Sequence, residues 1–520
     1  MESAFAGSIF SMKQAKCPVL FLILLLLSSV MYAQKIYPKR EFRGVWIATV
    51  VNIDWPSQNS LGTQKQQEEF IKILEKYGAL NFNAVIVQVR AAGDAFYPSS
   101  YEPWSKYLTG KEGKTPEPFY DPLKWMIKES HKRGFEFHAW FNPYRATFNL
   151  DTASLASNHA FNTHRDWMIR YGKRFYFNPG LPEVIEYTTS VIMEVVNNYD
   201  IDAVHFDDYF YPYKIEGEIF QDSKTFADYG VGIEDIEDWR RANVDSLVAT
   251  ISDSIRSLKP WVQFGISPFG VWRNSSVDPN GSDTRAGQTT YDDLYADPLK
   301  WAKYRWVDYL VPQLYWSMDH PLASHRKLVR WWADQELDCH LYVGHGMYKV
   351  KNNSDKAWNK YGEIPKQIDL VRATPEINGS VFFSAKSLLN RHERLNRLLS
   401  KKGYKYSALP PHVPFVDMKI EMPKIKVAEK SKGNVRVEFE DIPPDVRYII
   451  TYGAKRELDI GNPKAMTGKY DVDKTSFVIE LEPAKVKKLR QLGFTYINRY
   501  GIETEAAELK RGQLNFMNTD

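Results

Sequence analysis

Residues 199–212 read Tyr199-Asp200-Ile201-Asp202-Ala203-Val204-His205-Phe206-Asp207-Asp208-Tyr209-Phe210-Tyr211-Pro212, an apolar strand that runs into two adjacent carboxylates. On a period-2 strand Val204 and Phe206 share one face while His205 and Asp207 share the other. If the apolar face meets covering helices, the opposite face looks into the lumen of a parallel barrel. Asp207 and Asp208 then fall at the strand's C-terminal end, the face on which barrel enzymes build their sites. The competing reading is a pair of acids that caps a loop or pairs with a nearby arginine.

Outward from this strand, apolar strand-like runs alternate with helical stretches from about Arg43 to Leu399. Eight such units are the pattern of a (β/α)8 TIM barrel, expected over residues 41–402. The candidate strands are Gly44–Val50, Ala84–Val89, Phe135–Phe141, Ala203–Asp207, Gln263–Ser267, Tyr309–Gln313, Leu341–Gly344 and Ser380–Ser384. Asp121-Pro122 and Asp297-Pro298 each set an N-cap before a proline at the first helical position, and Thr63-Gln64-Lys65-Gln66 resembles a capping box. The spans 145–179 and 269–296 are longer than barrel connections require, which points to function.

Past Lys402 the texture changes. Residues 403–414, with Pro410-Pro411-His412-Val413-Pro414, read as a stiff linker. Residues 415–520 show short alternating strands such as Val435/Val437/Phe439, Tyr448/Ile450/Tyr452 and Phe477/Ile479/Leu481. This suits a C-terminal fibronectin-type-III-like β-sandwich, expected to be separable from the barrel.

At 520 residues and 43% apolar content the chain exceeds one ordinary domain and supplies ample core. Residues 1–33 place Lys13 and Lys16 before the apolar run Val19–Leu27, then Tyr32-Ala33, in the order of a secretory signal peptide. That run is too short to span a bilayer comfortably, so a secreted, periplasmic or envelope protein without stable membrane insertion is expected. With Cys17 removed, Cys339 remains alone, and an exported chain is then held by its core rather than by disulfides. The net charge of +4 is nearly balanced and calls for no nucleic acid. Aromatic content of 14% suits sugar stacking as well as ordinary core.

Polar side chains recur where the strands should end. They are Asp54 and Trp55 after the first strand, Gln88, Arg90 and Asp94 at the second, and His138, Asn142 and Arg145 at the third. His205 and Tyr209 flank the acids; Trp272 and Arg273 follow the fifth strand, and Gln313, Tyr315, Trp316 and Asp319 the sixth. Recurrence at most strand ends is harder to dismiss as structure than any single residue, and these are the candidate substrate-binding residues. Glycosidic cleavage needs a proton donor for the leaving oxygen and a group that stabilises the anomeric carbon. Asp207 and Asp208 are the candidate catalytic pair, with Asp208 favoured as the acid and Asp94 and Asp319 as reserves. No cofactor is expected and no metal: His340 and His345 face opposite sides of a strand, and residues 278–283 read as a turn.

The strings Glu41-Phe42-Arg43-Gly44-Val45-Trp46, residues 203–212, Phe269-Gly270-Val271-Trp272-Arg273, Tyr291-Asp292-Asp293-Leu294-Tyr295-Ala296-Asp297 and Val311-Pro312-Gln313-Leu314-Tyr315-Trp316 carry a resemblance. The chain resembles the bacterial glycosyl-hydrolase-like barrel proteins that include peptidoglycan glycosidases acting on denuded glycan strands. The resemblance spans about Glu41 to Lys402. It implies a secreted or envelope barrel acting on glycans, with Asp207 and Asp208 in the active centre and often a fibronectin-like C-terminal domain. A looser similarity is to barrel hydrolases of N-acetylated sugars, in which neighbouring acids end the fourth strand and the substrate's acetamide is the nucleophile. Chitinase-like members carry a Glu two residues beyond the lumen-facing Asp, where this chain has Tyr209.

The expectation is therefore a glycoside hydrolase of peptidoglycan or a related amino-sugar polysaccharide. A catalytically silent glycan-binding envelope protein and a hydrolase of another polysaccharide are the alternatives. Linkage, oligomeric state and the choice among retaining, inverting and substrate-assisted chemistry stay open at this point.

Overall fold

A computed structural model describes residues 37–389, 392–431, 434–472, 475–481 and 489–510. The leader-like residues 1–33 and the sandwich residues 511–520 lie outside the described residues. Eight parallel strands close a TIM barrel: β1 (Phe42–Ile47), β2 (Ala84–Arg90), β3 (Glu136–Phe141), β4 (Ala203–Phe206), β5 (Gln263–Ile266), β6 (Tyr309–Leu310), β7 (His340–His345) and β8 (Ile377–Phe382). Each pairs with its chain neighbour and β8 pairs with β1. The sixth strand stops short of its expected end at Gln313, because Pro312 has no amide to donate to a ladder.

Period-2 alternation sorts the side chains. Val45, Ile47, Val85, Val87, Val204 and Phe206 join the core beneath the helices, while Phe42, Trp46, Ile86, Trp140, Tyr309 and Tyr342 fill the lumen. Gly265 makes room for this filling, since a Cβ there would lie 1.9 Å from the Tyr309 ring. The lumen also holds His138 and His205. Trp46 Nε1 donates to His205 Nε2 (3.2 Å), which leaves Nδ1 protonated and donating to the Tyr309 hydroxyl (3.1 Å). That hydroxyl donates onward to His138 Nδ1 (2.7 Å). Burial, reinforced by His138, holds the His205 imidazole neutral, its pKa well below the usual range.

Outside the barrel, Asp121 and Asp297 cap helices α1 (Pro122–Lys132) and α2 (Pro298–Lys303) by accepting from Lys124 N (3.0 Å) and Lys300 N (3.4 Å). The expected capping box at 63–66 does not form. Gly62 is the N-cap, Thr63 Oγ1 donates to Pro118 O (2.6 Å), and the Gln66 amide donates to Leu61 O and Leu108 O. Among the described residues no helix is long and apolar enough to cross a membrane.

The C-terminal region forms two antiparallel sheets. One contains β9 (Ile425–Ser431), β10 (Asn434–Phe439) and β13 (Phe477–Leu481); the other contains β11 (Val446–Ala454), β12 (Met466–Asp471), β14 (Gln491–Asn498) and β15 (Ala507–Lys510). Val437, Phe439, Ile479, Ile449 and Phe494 from both sheets share one core, which makes the pair a sandwich. The other face of β11 is buried too: Tyr448, Ile450 and Tyr452 pack with Leu409. Residues 404–413 run along the N-terminal floor of the barrel. There Arg43 Nη1 donates to Tyr406 O (2.6 Å), Asn83 Nδ2 to Ala408 O (3.0 Å), and Glu41 N to Leu409 O (2.9 Å). Asp200, just before β4, pairs with both Arg447 and Arg499 of the sandwich.

Candidate active site

The acids sit where β4 ends at Phe206, so both are released from the ladder into the cleft at the C-terminal mouth of the barrel. Asp207 Oδ1 accepts from Gln313 Nε2 (2.8 Å) and from the Asp208 backbone N–H (2.8 Å). Gln313 is aimed by a second bond, from Nε2 to Ser267 O (3.0 Å). Asp208 is 2% exposed, and its Oδ2 accepts from the Tyr213 hydroxyl.

Burial pushes the Asp208 carboxyl well above the ordinary range, and the charge of the neighbouring Asp207 pushes it further. Asp207 is raised less: burial lifts it, while bonds from Asp208 and Gln313 and the charge of Arg145 pull it back. The pair therefore holds one proton, resident on Asp208, with Asp207 anionic. Burial and the two acids lift the Tyr209 phenol to about 12, so its ring faces the site un-ionised.

Aromatic side chains wall the cleft. Trp46, Trp140, Tyr209, Tyr213, Tyr315, Tyr348 and Phe383 line it together with Val50, Ile53, Gln88, Asn142 and Arg145. Tyr348 is 43% exposed, with its ring edge-on to Tyr315 and Phe383, the placement of a platform for the apolar face of a sugar. Gln88 Oε1 accepts from Val50 N (2.9 Å) and Thr49 N (3.2 Å) and so holds the loop after β1 against the cleft. Next to it Val51 adopts φ 53°, a left-handed conformation that a β-branched residue rarely takes.

Of the strand-end residues expected at the site, the structure brings together Gln88, Asn142, Arg145, Asp207, Asp208, Tyr209, Gln313 and Tyr315. It does not bring the others. His138 and His205 belong to the lumen network below. Asp54 ties β1 to the end of β8, accepting from Ala48 N (2.8 Å), Ser384 Oγ (2.7 Å) and Lys386 N (2.7 Å), with burial raising its pKa to about 6. Trp55 is fully buried and donates to Gln66 O (2.8 Å). Arg90 is paired with Glu102, and Asp94 caps the turn after β2 by accepting from Ala92 N (2.8 Å). Trp272 stacks on Trp331, and Trp316 packs edge-on against Phe269. Arg273 is held by Asp278 (2.7 Å) and Asp292 (2.8 Å), and Asp319 is an exposed partner of Arg326.

Tyr213, Tyr348 and Phe383 were not singled out in the sequence. Each follows a strand end, but Tyr213 and Tyr348 lie on loops whose return to the cleft the sequence does not give, and Phe383 carries no polar group to mark it. For Tyr213 a signal exists: it lies five residues past Asp208, within reach of a turning loop. Among the described residues, no group of three or more His, Cys, Asp or Glu gathers to hold a metal ion.

A family model described as "Glycosyl hydrolase-like 10" matches residues 41–360. The chain is 45% identical over 438 residues to glycosyl hydrolase YngK of Bacillus subtilis (strain 168), covering 82% of this chain and 85% of that protein. It is 40% identical over 390 residues to glycosyl hydrolase DigH of Escherichia coli (strain K12), covering 71% and 86%. Among solved structures, the glycoside hydrolase domain of PgaB (BpsB) from Bordetella bronchiseptica aligns over 70% of this chain and 99% of that one, at 12% identity and a TM-score of 0.47.

Proposed function

The chain belongs to the glycosyl hydrolase-like 10 family and is a glycoside hydrolase, and we propose that it cleaves an N-acetylated amino-sugar polymer, the glycan of bacterial peptidoglycan, with help from the substrate's own acetamide. The observation that carries this reading is the placement of the two acids, adjacent at the end of one strand in one cleft, with the Asp208 N–H donating to Asp207 Oδ1 (2.8 Å). Two-carboxylate retaining enzymes keep their acids about 5–5.5 Å apart and inverting ones about 6.5–9.5 Å apart, so that sugar or sugar plus water fits between. Acids of adjacent residues at the end of one strand, tied together in this way, do not flank a ring from opposite sides. They suit a division of labour on one side of it.

In this division Asp208, the protonated member, gives its proton to the leaving glycosidic oxygen as the bond to the anomeric carbon breaks. The acetamide oxygen of the same sugar attacks that carbon. Asp207, anionic and aimed by Gln313, accepts a hydrogen bond from the acetamide N–H and balances the positive charge that develops on the ring it forms. Asp208, now a carboxylate, takes a proton from the water that opens the ring, which restores both acids and retains the anomeric configuration. The aromatic wall of Trp140, Tyr315 and Tyr348 grips the sugar meanwhile. A cell-envelope location suits this polymer and the leader-like residues 1–33.

Digestion of purified glycan strands, with products identified by mass and anomeric form, tests the reading. We expect cleavage at an N-acetylated residue with retention, and none when the acetamide is replaced by a hydroxyl. Equal turnover of the hydroxyl substrate would refute acetamide participation.

A further inference from the structure

Five arginines are buried among the described residues: Arg43, Arg90, Arg145, Arg240 and Arg447. Four of them are paired with carboxylates, Arg43 with Glu41, Arg90 with Glu102, Arg240 with Asp222 and Arg447 with Asp200. Pairing is the usual condition for burying a guanidinium, because an uncompensated charge out of water is strongly unfavourable. Arg145 departs from it. It is 7% exposed, its Nε is buried without a hydrogen-bond partner, and among the described residues no carboxylate lies within ion-pair distance of it, the charge of Asp207 reaching it only at longer range.

Its position is nonetheless well defined. The backbone of Arg145 bridges to Tyr176, and Ala146 N donates to Phe175 O (3.1 Å), so the hairpin of Met168–Tyr171 and Arg174–Phe177 in the long loop after β3 fixes it. The guanidinium lies 4.3 Å from the centre of the Tyr209 ring, and the side chain lines the same cleft as Asp207 and Asp208. Stacking on Tyr209 orients the planar fork without consuming its charge.

We infer that Arg145 is a specificity-determining residue that takes a carboxylate carried by the glycan itself, completing its charge pair only when substrate is bound. The inference rests on the proposed amino-sugar substrate and adds that the sugar beside the cleaved bond is acidic. The fork of a guanidinium matches a carboxylate in bidentate fashion, and a free lactyl ether on an amino sugar presents such a group. The same group joined to a peptide through an amide has lost its charge. Arg145 therefore distinguishes a bare acidic glycan from a neutral or peptide-capped one.

The test compares peptide-free peptidoglycan strands with the same strands methyl-esterified at their carboxyl groups, using the full protein. The wild-type enzyme is expected to lose about tenfold or more in kcat/KM on the ester, mainly through KM, as for a charged hydrogen bond lost. Arg145→Ala should treat the two glycans alike at the wild-type ester level, and Arg145→Lys should recover part of the preference. The wild-type comparison stands even if a variant folds poorly. Equal wild-type rates on the two glycans overturn the inference while leaving the proposed function intact. So does an Arg145→Ala loss that is the same on both, falls on kcat and shifts the pH profile, since Arg145 would then act through Asp207. Cleavage of neither glycan refutes the substrate reading and this one with it.

Discussion

The backbone N–H of Asp208 donates to Asp207 Oδ1 (2.8 Å) and ties the neighbours into one buried pair, where burial and the charge of Asp207 keep one proton on Asp208 although two isolated acids would both ionise. Asp207→Asn and Asp208→Asn keep the volume of the site and remove one ionisable group each. Each should lower turnover of the glycan by a hundredfold or more, on the order expected for lost acid–base help. An aryl glycoside of N-acetylglucosamine, whose leaving group departs without a proton, separates the roles. Asp208→Asn should retain most of its bond-breaking rate on that substrate, whereas Asp207→Asn should not.

Tyr213 donates to Asp208 Oδ2 and so favours the ionised acid, opposing burial and Asp207. Its phenol also leaves only the other oxygen of Asp208 to hold the transferable proton. In Tyr213→Phe the Asp208 pKa rises, and the basic limb of the kcat/KM profile moves to higher pH. We expect kcat to fall about tenfold, less than the hundredfold or more that loss of the acid itself would cost. A profile that keeps its limbs would remove Tyr213 from the acid's environment.

Asp54 holds its proton up to about pH 6 in the folded protein, against an ordinary value of 3.8, because burial outweighs its three hydrogen bonds. A raised folded pKa means that its stabilising share is complete below pH 3.8 and is lost as pH rises through 6. The shift corresponds to about 3 kcal/mol. Urea unfolding between pH 4 and 7 should show this decline, superimposed on that of other groups, and Asp54→Asn should flatten it while reducing stability at pH 4. Parallel curves for the two proteins would contradict the assignment.

Val51 sits at φ 53° and is 65% exposed, so its side chain gains little from burial and its backbone stores strain beside the cleft. Val51→Gly removes the strained Cβ. The expected outcome is a gain of about 1 kcal/mol in unfolding free energy, since relief of strain exceeds the added freedom of the unfolded chain. A loss of stability would show that the loop after β1 holds Val51 for packing instead.

A chain ending at Lys402 loses the strip that covers the barrel floor. Arg43, Asn81 and Asn83 would each lose acceptors from residues 404–408, and the buried rings and side chains of Tyr404 and Leu409 would go with them. Buried donors left unmet cost about 1–3 kcal/mol apiece. Thermal unfolding should therefore place the chain ending at Lys402 well below one ending at Pro414, which keeps the strip, with the full protein highest. Equal midpoints for the two shorter chains would assign the floor no energetic role.

The eight strands were legible because their signal is local. Alternation along Val204-His205-Phe206 states both the element and which side faces the helices, the apolar run Ala84-Val85-Ile86-Val87 states the element alone, and the position of Asp207 and Asp208 beyond β4 follows from chain order. Strand ends were less legible where a neighbour intervened. Pro312 shortens β6, and Gly62 replaces the expected Thr63 cap because Thr63 finds Pro118 O fifty-five residues away.

The cleft itself divides along the same line. By itself the sequence determined the barrel, the sandwich and the place of the acid pair, since periodicity and adjacency need no distant partner. Tertiary structure decided which strand-end groups reach substrate, because that depends on competition among partners remote in the chain. His205 and Asp207 lie two residues apart on one strand face, yet His205 stays within the lumen toward Tyr309 while Asp207, past the strand's end, reaches the cleft. Two arginines of equal promise in sequence part company: Arg273 is neutralised by Asp278 and Asp292, while Arg145, stacked on Tyr209, keeps its charge for what enters. Only the closing of the barrel sets those distances, and the electrostatic cost of burying a charge without a partner is what gives the difference its meaning.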